Sequence, residues 1–242
     1  MLKYVFFDLD GTLLPMDQEA FVKVYFTELT GKFCPMLKLK DEQLIKGIWK
    51  STNAMIKNDG SEPNIKAFWK SMTKLYGKGI LNYVKEFDSF YQNEFFETKK
   101  VSGYNPNVPE AIKTLRRKGY TLAAATNPIF PEIAIATRMK WAGVGKEDFA
   151  LVTTYENSST CKPNPAYYEE IMGKLKAEPD QCMMVGNDVD EDILAAKAAG
   201  MKTYLVTDCL INKNETDLRD FKSGSMRDFL TYARTMPDAG KR

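Results

Sequence analysis

Two aspartates directly follow an apolar stretch near the start of the chain. Residues 4–14 read YVFFDLDGTLL, so that Asp8 and Asp10 come after four apolar or aromatic residues and have one leucine between them. Buried carboxylates without partners are costly, and two of them at this spacing require a cation or hydrogen-bond donors. A hard divalent ion such as Mg²⁺, which prefers oxygen ligands, satisfies that requirement.

Polar residues also follow the later strand-like stretches. Thr126 and Asn127 come after the second stretch, Lys162 lies in the segment CKPNP after the third, and GNDVDED after the fourth contains Asp188 and Asp192. Ligands of open α/β sheets bind outside the carboxyl ends of the strands, where these residues would meet. A hydroxyl and an ammonium group suit phosphate oxygens. The set predicts a phosphate site built around a metal.

Each of these segments also has an ordinary structural explanation. Asp-Gly is common in turns, Thr-Asn-Pro can cap a helix, and a lysine before prolines usually lies in a solvated loop. Two other acids of the last segment, Asp190 and Glu191, are interpreted only as charges at a helix N-terminus. The coincidence of all four segments favours the functional interpretation for the other residues.

The chain contains no histidine. Mechanisms that use an imidazole base, the Ser-His-Asp triad among them, are therefore excluded, as are zinc and iron sites with histidine ligands. The four cysteines form no C-x-x-C pair, which indicates reduced thiols. Cys161, next to Lys162, is interpreted as a bystander because it has no imidazole partner.

Strand-like and helix-like patterns alternate over much of the chain. Apolar runs predict strands and periodic patterns predict helices, the strands at 4–7, 120–126, 149–155, 181–186 and 202–207 and the helices at 107–118, 131–142, 165–176 and 190–199. Continuous apolar strands with helices between them predict an α/β fold with a Rossmann-like parallel sheet. Residues 15–100 show only helical periodicity, which predicts an all-helical insertion after the first strand.

The composition of the sequence limits the expected partners of the protein and its expected location. The 242 residues carry a formal net charge of +2, which gives no reason to expect nucleic acid or an anionic membrane as a partner. The sequence has no signal-peptide pattern and no apolar run long enough to span a bilayer, so we expect a cytoplasmic protein. The tail PDAGKR at 237–242 is expected to fray. The oligomeric state cannot be read from the sequence.

In this order, DLDGTL, TN, KPNP and GNDVDED resemble the haloacid dehalogenase (HAD) superfamily of hydrolases. The resemblance covers an α/β catalytic core at 1–14 and 101–236, and residues 15–100 look like the C1-type helical cap of that family. It implies a Mg²⁺-dependent phosphatase that acts on a small phosphorylated metabolite, since dehalogenases and phosphonate-cleaving relatives lack an aspartate at the position of Asp10.

The resemblance also implies a role for each residue. Asp8 would attack phosphorus and form an aspartyl-phosphate, and Asp10 would give and take the proton. The metal would be held by Asp8, the backbone carbonyl of Asp10 and Asp188. Thr126, Asn127 and Lys162 would bind the phosphoryl group, and Asp192 would support either the metal or Lys162.

Two other functions remain open at this point. A phosphoglucomutase-like phosphotransferase would use the same residues but pass the phosphoryl group to a second hydroxyl of its substrate. A non-catalytic phosphate- or metal-binding module would keep the scaffold without the reaction, although the intact pair of Asp8 and Asp10 argues against it. The identity of the substrate is not apparent in the sequence of the helical insertion.

Overall fold

The computed structural model describes residues 1–240. In this part of the chain six parallel strands form one sheet in the order β3-β2-β1-β4-β5-β6, with β1 Tyr4–Phe7, β2 Thr121–Ala124, β3 Leu151–Val152, β4 Cys182–Gly186, β5 Lys202–Val206 and β6 Ser223–Gly224. The sheet and its flanking helices confirm the predicted α/β class. None of the helices in these 240 residues is long and apolar enough to cross a membrane.

Helices cover both faces of the sheet and fill the segment between β1 and β2. The α-helices are α1 Gln18–Leu37, α2 Asp41–Ile56, α3 Asn64–Tyr76, α4 Val84–Gln92, α5 Asn107–Arg117, α6 Glu132–Trp141, α7 Pro165–Leu175, α8 Ala195–Ala198 and α9 Met226–Thr235. Two longer 3₁₀ helices lie at Lys78–Tyr83 and Glu94–Val101, and a π-helical turn at Val189–Leu194 leads into α8.

Strand β1, in the middle of the sheet, has apolar side chains on both faces, and each face is covered by helices. Val5, Phe6 and Phe7 are fully buried, and alternation along the strand sends Val5 and Phe7 to one face and Phe6 to the other. The first face packs on α5 and α9, whereas Phe6 packs with Tyr167 of α7. The continuous apolar strands of the sequence are therefore those of a sheet covered on both sides.

Several predicted bounds differ from the structure. The helices predicted at 107–118, 131–142 and 165–176 are confirmed to within a residue, but β2 and β3 are shorter than predicted because the chain leaves the sheet after Ala124 and Val152. The edge strand β6 and helix α9 were not predicted. A two-residue Ser-Gly strand has no apolar pattern to reveal it.

The tail is held in place further than expected. The Pro237 carbonyl accepts a hydrogen bond from the Tyr120 hydroxyl at 2.8 Å, and the amide of Ala239 donates to the Lys118 carbonyl at 2.8 Å. The prediction that the tail frays is therefore wrong for residues 237–239. For residues 241 and 242 the prediction lies outside the described residues.

Residues 18–101 form only helices and turns, and we refer to them as the helical segment. The chain enters this segment after Met16 and leaves it before Ser102, and these two residues form an antiparallel bridge with each other. The segment is also fastened at Asn64, a fully buried residue at the start of α3. The Asn64 side-chain amide donates to the carbonyls of Pro128 and Thr160 and to the sulfur of Cys161. The division into a core at 1–14 and 101–236 and a cap at 15–100 stays a prediction.

Phe95 offers a test of how firmly the helical segment packs on α6. Its buried ring stacks on Trp141 of α6 with the ring centres 6.0 Å apart. We expect Phe95→Ala to lower the free energy of unfolding by about 3–5 kcal/mol because it leaves a cavity. The neighbouring Phe96 is 47% exposed, and Phe96→Ala should cost less than about 1 kcal/mol. Urea denaturation measures both, and equal losses would contradict this packing.

Candidate active site

The carboxyl ends of β1, β2 and β4 meet at one edge of the sheet. Phe7, the last residue of β1, is in register with Ala124 of β2 and with Val185 of β4. A cavity of about 330 Å³ lies between this edge and the helical segment. Six of the seven site residues predicted from the sequence line it, namely Asp8, Asp10, Thr126, Asn127, Asp188 and Asp192.

The seventh predicted residue, Lys162, lies directly behind the cavity between two carboxylates. Its Nζ donates to Asp8 Oδ1 at 2.8 Å and to Asp192 Oδ1 at 2.6 Å, and its side chain is 1% exposed. The lysine is delivered by the turn before α7, which Asn164 caps by accepting from the amide of Ala166. Burial opposes the charge on Lys162, but Asp192 and Asp8 outweigh burial and raise its pKa well above the ordinary value.

Asp192 holds the lysine from the β4 side. Its second oxygen, Oδ2, accepts a hydrogen bond from the Asp188 amide at 3.0 Å. Burial raises the pKa of the Asp192 carboxyl, and Lys162 opposes that rise. The carboxylate fits only because residue 186 is glycine, since a Cβ there would lie 2.2 Å from Asp192 Oδ2. Of the two supports predicted for Asp192, the structure therefore has the contact with Lys162.

The loop after β1 turns sharply and directs Asp10 into the cavity. Gly11 has a φ of +87°, and a Cβ at this position would lie 2.4 Å from the side-chain nitrogen of Asn187. The neighbouring Thr12 hydroxyl donates to Asn187 Oδ1 at 2.8 Å. These contacts fix the loop after β1 against the loop after β4, and both carboxylates of the opening motif face one cavity.

Asp10 forms an ion pair that the sequence did not predict. Its Oδ2 accepts a hydrogen bond from Nη1 of Arg138 on α6. The guanidinium of Arg138 is nearly fully buried and stands over the ring of Phe130, 4.5 Å from the ring centre. Burial raises the pKa of the Asp10 carboxyl, Arg138 lowers it and the neighbouring Asp8 raises it, with a net upward shift. Asp10 Oδ1 has no hydrogen-bond partner within residues 1–240.

Two residues of the site were missed or misassigned at the level of sequence. Arg138 was missed. The signal that could have revealed it is a charged residue one turn after Ala134 and next to Met139, on the apolar side of α6. Glu191 was interpreted only as a helix N-terminal charge, and it does lie in the first turn of the π-helical segment, but the structure gives it further contacts. It lines the cavity, accepts a hydrogen bond from Asn127 Nδ2 at 3.1 Å, and has a pKa raised mainly by burial.

The remaining predicted residues are held by backbone contacts. Asp188 caps the π-helical turn, because its Oδ1 accepts from the amides of Asp190 and Glu191, both at 2.9 Å. The carbonyl of Thr126 accepts from the hydroxyls of Thr153 and Tyr167 at 2.7 and 2.8 Å. Thr126 is thus held through its backbone carbonyl, and Asp188 through one oxygen of its carboxylate.

The donor set fits a magnesium ion bound together with a phosphate. Asp8 and Asp188 line the same cavity, and Mg²⁺ is usually held by one or two carboxylates plus water and substrate phosphate oxygens. Across the described part of the chain, no group of three or more acidic or cysteine residues is arranged to hold a metal on its own. The carboxylates of the cavity thus match the ligand chemistry of the ion, while the described residues form no complete metal site by themselves.

The parallel sheet, with carboxylates and no histidine in the cavity at its edge, defines the class of α/β protein to which the chain can be compared. The family model for haloacid dehalogenase-like hydrolases matches residues 2–200. The chain therefore belongs to this family, and the resemblance seen in the sequence motifs is confirmed.

Two similar proteins are named for activity on phosphate compounds. The chain is 28% identical to the pyrophosphatase PpaX of Halalkalibacterium halodurans over 84% of this chain and 82% of that one. It is 30% identical to a glyceraldehyde 3-phosphate phosphatase of Methanothermobacter thermautotrophicus over 85% of this chain and 86% of that one. A HAD phosphatase from Thermococcus onnurineus superposes with a TM-score of 0.60 at 19% identity, covering 96% and 97% of the two chains, which shows the shared fold.

The pair of Asp10 and Arg138 can be tested through stability. Arg138→Met leaves Asp10 without its cationic partner, and we expect a loss of about 3 kcal/mol in the free energy of unfolding. Asp10→Leu combined with Arg138→Met should be less destabilised than the sum of the single variants, because neither charge is then left alone. Urea denaturation of all four proteins gives the coupling energy. Strict additivity would mean that the two groups do not interact.

Proposed function

We propose that this protein is a Mg²⁺-dependent phosphatase that cleaves a phosphate monoester of a small molecule through an aspartyl-phosphate intermediate. The observation that carries the proposal is the convergence of Asp8, Asp10 and Lys162, in which both carboxylates face one cavity and the lysine contacts the first. The phosphatase relatives support the reaction class.

Asp8 is the nucleophile in this proposal. Its hydrogen bond from Lys162 fixes the direction of the carboxylate, and the oxygen that does not accept this bond attacks phosphorus. The alcohol leaves as the aspartyl-phosphate forms, and water then cleaves that bond, so one difficult displacement becomes two easier ones. Lys162, Thr126 and the amide of Asn127 bind the phosphoryl oxygens.

Asp10 moves the proton. It protonates the leaving alcohol oxygen in the first step and takes a proton from the attacking water in the second. The upward shift of its pKa, caused first by burial, suits an acid that must carry a proton closer to neutral pH than an ordinary carboxyl. Arg138 moderates that shift and holds the carboxyl in place without touching the cavity.

Asp8, Asp188 and the Asp10 carbonyl would hold the magnesium ion. When bound, the ion offsets the repulsion between these carboxylates and an anionic phosphoryl group. Asp192 acts on Lys162 rather than as a ligand in this arrangement. The expected partner is a small phosphorylated metabolite, and no feature of the site calls for nucleic acid or a membrane.

The assignment of the nucleophile predicts the effect of Asp8→Asn. With Mg²⁺ present, the wild-type protein should hydrolyse p-nitrophenyl phosphate, and Asp8→Asn should lower kcat by at least about 1,000-fold. Equal activity in both proteins would discredit the nucleophile. Absence of activity with every phosphate ester would favour a binding module, and an isomerised sugar phosphate with no phosphate released would identify a mutase.

The metal assignment predicts weaker Mg²⁺ binding when Asp188 is changed. Asp188→Ala should reduce the affinity measured by calorimetric titration at least about tenfold, since few protein carboxylates hold the ion. Asp188→Asn removes the charge but retains the helix cap, and should behave alike. Asp190→Ala is the matched control, because Asp190 accepts from Asn214 instead of lining the cavity. Unchanged affinity in both Asp188 variants would refute the ligand assignment.

A further inference from the structure

The cavity has two chemically different halves. One half is the polar edge of the sheet already described. The other half is apolar, and ten aromatic side chains contribute to the lining, among them Phe21, Phe26, Trp49, Phe87 and Phe130. A phosphate ester bound with its phosphorus at Asp8 would extend its alcohol part into this second half.

The helical segment gives the cavity no charge. Thirteen lining residues come from this segment, and none of them is an Asp, Glu, Lys or Arg. The charged groups of the lining, among the described residues, follow β1, β4 or β5. The hydroxyl groups of the two lining tyrosines from the helical segment, Tyr25 and Tyr91, form a hydrogen bond with each other at 3.0 Å.

This wall is unsuited to small polar alcohols. A carboxylate, a second phosphate or several hydroxyls would lose water on entering and find few polar partners, chiefly Gln18 and Thr52. An apolar group gains from the same transfer. Aromatic walls additionally favour aromatic guests through edge-to-face contacts.

The volume limits the size of that group. An apolar cavity of about 150 Å³ holds one benzene molecule. The cavity here measures about 330 Å³, part of which the phosphoryl group would occupy. This volume is compatible with a group of one or two fused rings.

We infer that the substrate is the phosphate monoester of a bulky aromatic alcohol, with its ring held against the apolar wall of the helical segment. This inference rests on the proposed phosphatase function and gives it a substrate class. The class differs from pyrophosphate and glyceraldehyde 3-phosphate, the compounds named for two relatives.

A comparison of two esters of primary alcohols tests the inference. The value of kcat/KM with Mg²⁺ should be at least about 100-fold higher for 2-naphthylmethyl phosphate than for glyceraldehyde 3-phosphate, because only the former buries a ring. Activity with an equal or reversed preference overturns the substrate class and leaves the phosphatase function standing. Failure to hydrolyse these two esters, p-nitrophenyl phosphate and acetyl phosphate overturns both.

Substitutions in the apolar wall of the cavity test whether this wall causes the substrate preference. Trp49 lines the cavity while half exposed, so Trp49→Arg places a cation there without emptying the core. It should lower the ratio of kcat/KM for 2-naphthylmethyl phosphate to kcat/KM for glyceraldehyde 3-phosphate about tenfold or more. Leu81→Arg, at an exposed position away from the cavity lining, is the matched control and should change neither value. Equal losses for both substrates in Trp49→Arg would overturn the inference.

Binding provides a measure that is independent of turnover. Calorimetry with 2-naphthylmethylphosphonate, which cannot be hydrolysed, should show binding with a negative heat-capacity change, the signature of buried apolar surface. The affinity should fall in Trp49→Arg and stay the same in Leu81→Arg. If the wild-type protein binds this compound no more tightly than methylphosphonate, the ring contributes nothing and the substrate class is wrong.

Discussion

The buried ammonium group of Lys162 is the contact on which the rest of the site depends. It joins Asp8, from the loop after β1, to Asp192, from the helical turn after β4, and it is itself carried by the turn before α7. Three segments distant in sequence are thereby fixed to one another. An ammonium with two carboxylate partners tolerates full burial, whereas any one of the three charges alone would not.

The balance of charge around this contact explains why a phosphate site needs more than the lysine. Five acidic side chains lie at the sheet edge, namely Asp8, Asp10, Asp188, Glu191 and Asp192, against the two buried cations Lys162 and Arg138. Burial raises the pKa of three of these acids, Asp10, Glu191 and Asp192, which lowers the negative charge by favouring protonation. A divalent cation would reduce it further and make room for an anionic ligand.

Much of the fold and the site could be predicted from the sequence, because the information is local. Strand, turn and charged residue are contiguous in YVFFDLDG and GNDVDED, and parallel topology then brings them to one edge. Arg138 could not be placed in this way, since its partner Asp10 is 128 positions away in the sequence. The same holds for Glu191, whose hydrogen-bond partner Asn127 is 64 positions away in the sequence. The apolar cavity could not be predicted from the sequence either. Helical periodicity identifies aromatic residues as buried but does not say whether the space beside them is filled by protein or left open.

Asn64 gives the helical segment an influence beyond its cavity wall. Its side-chain amide holds Pro128, Thr160 and Cys161, and the last of these immediately precedes Lys162. Lifting α3 away from the sheet breaks hydrogen bonds to the very peptide that carries the lysine, as well as to the loop just beyond Asn127. The seating of α3 and the position of the segment that carries the ammonium group are consequently linked through a single amide.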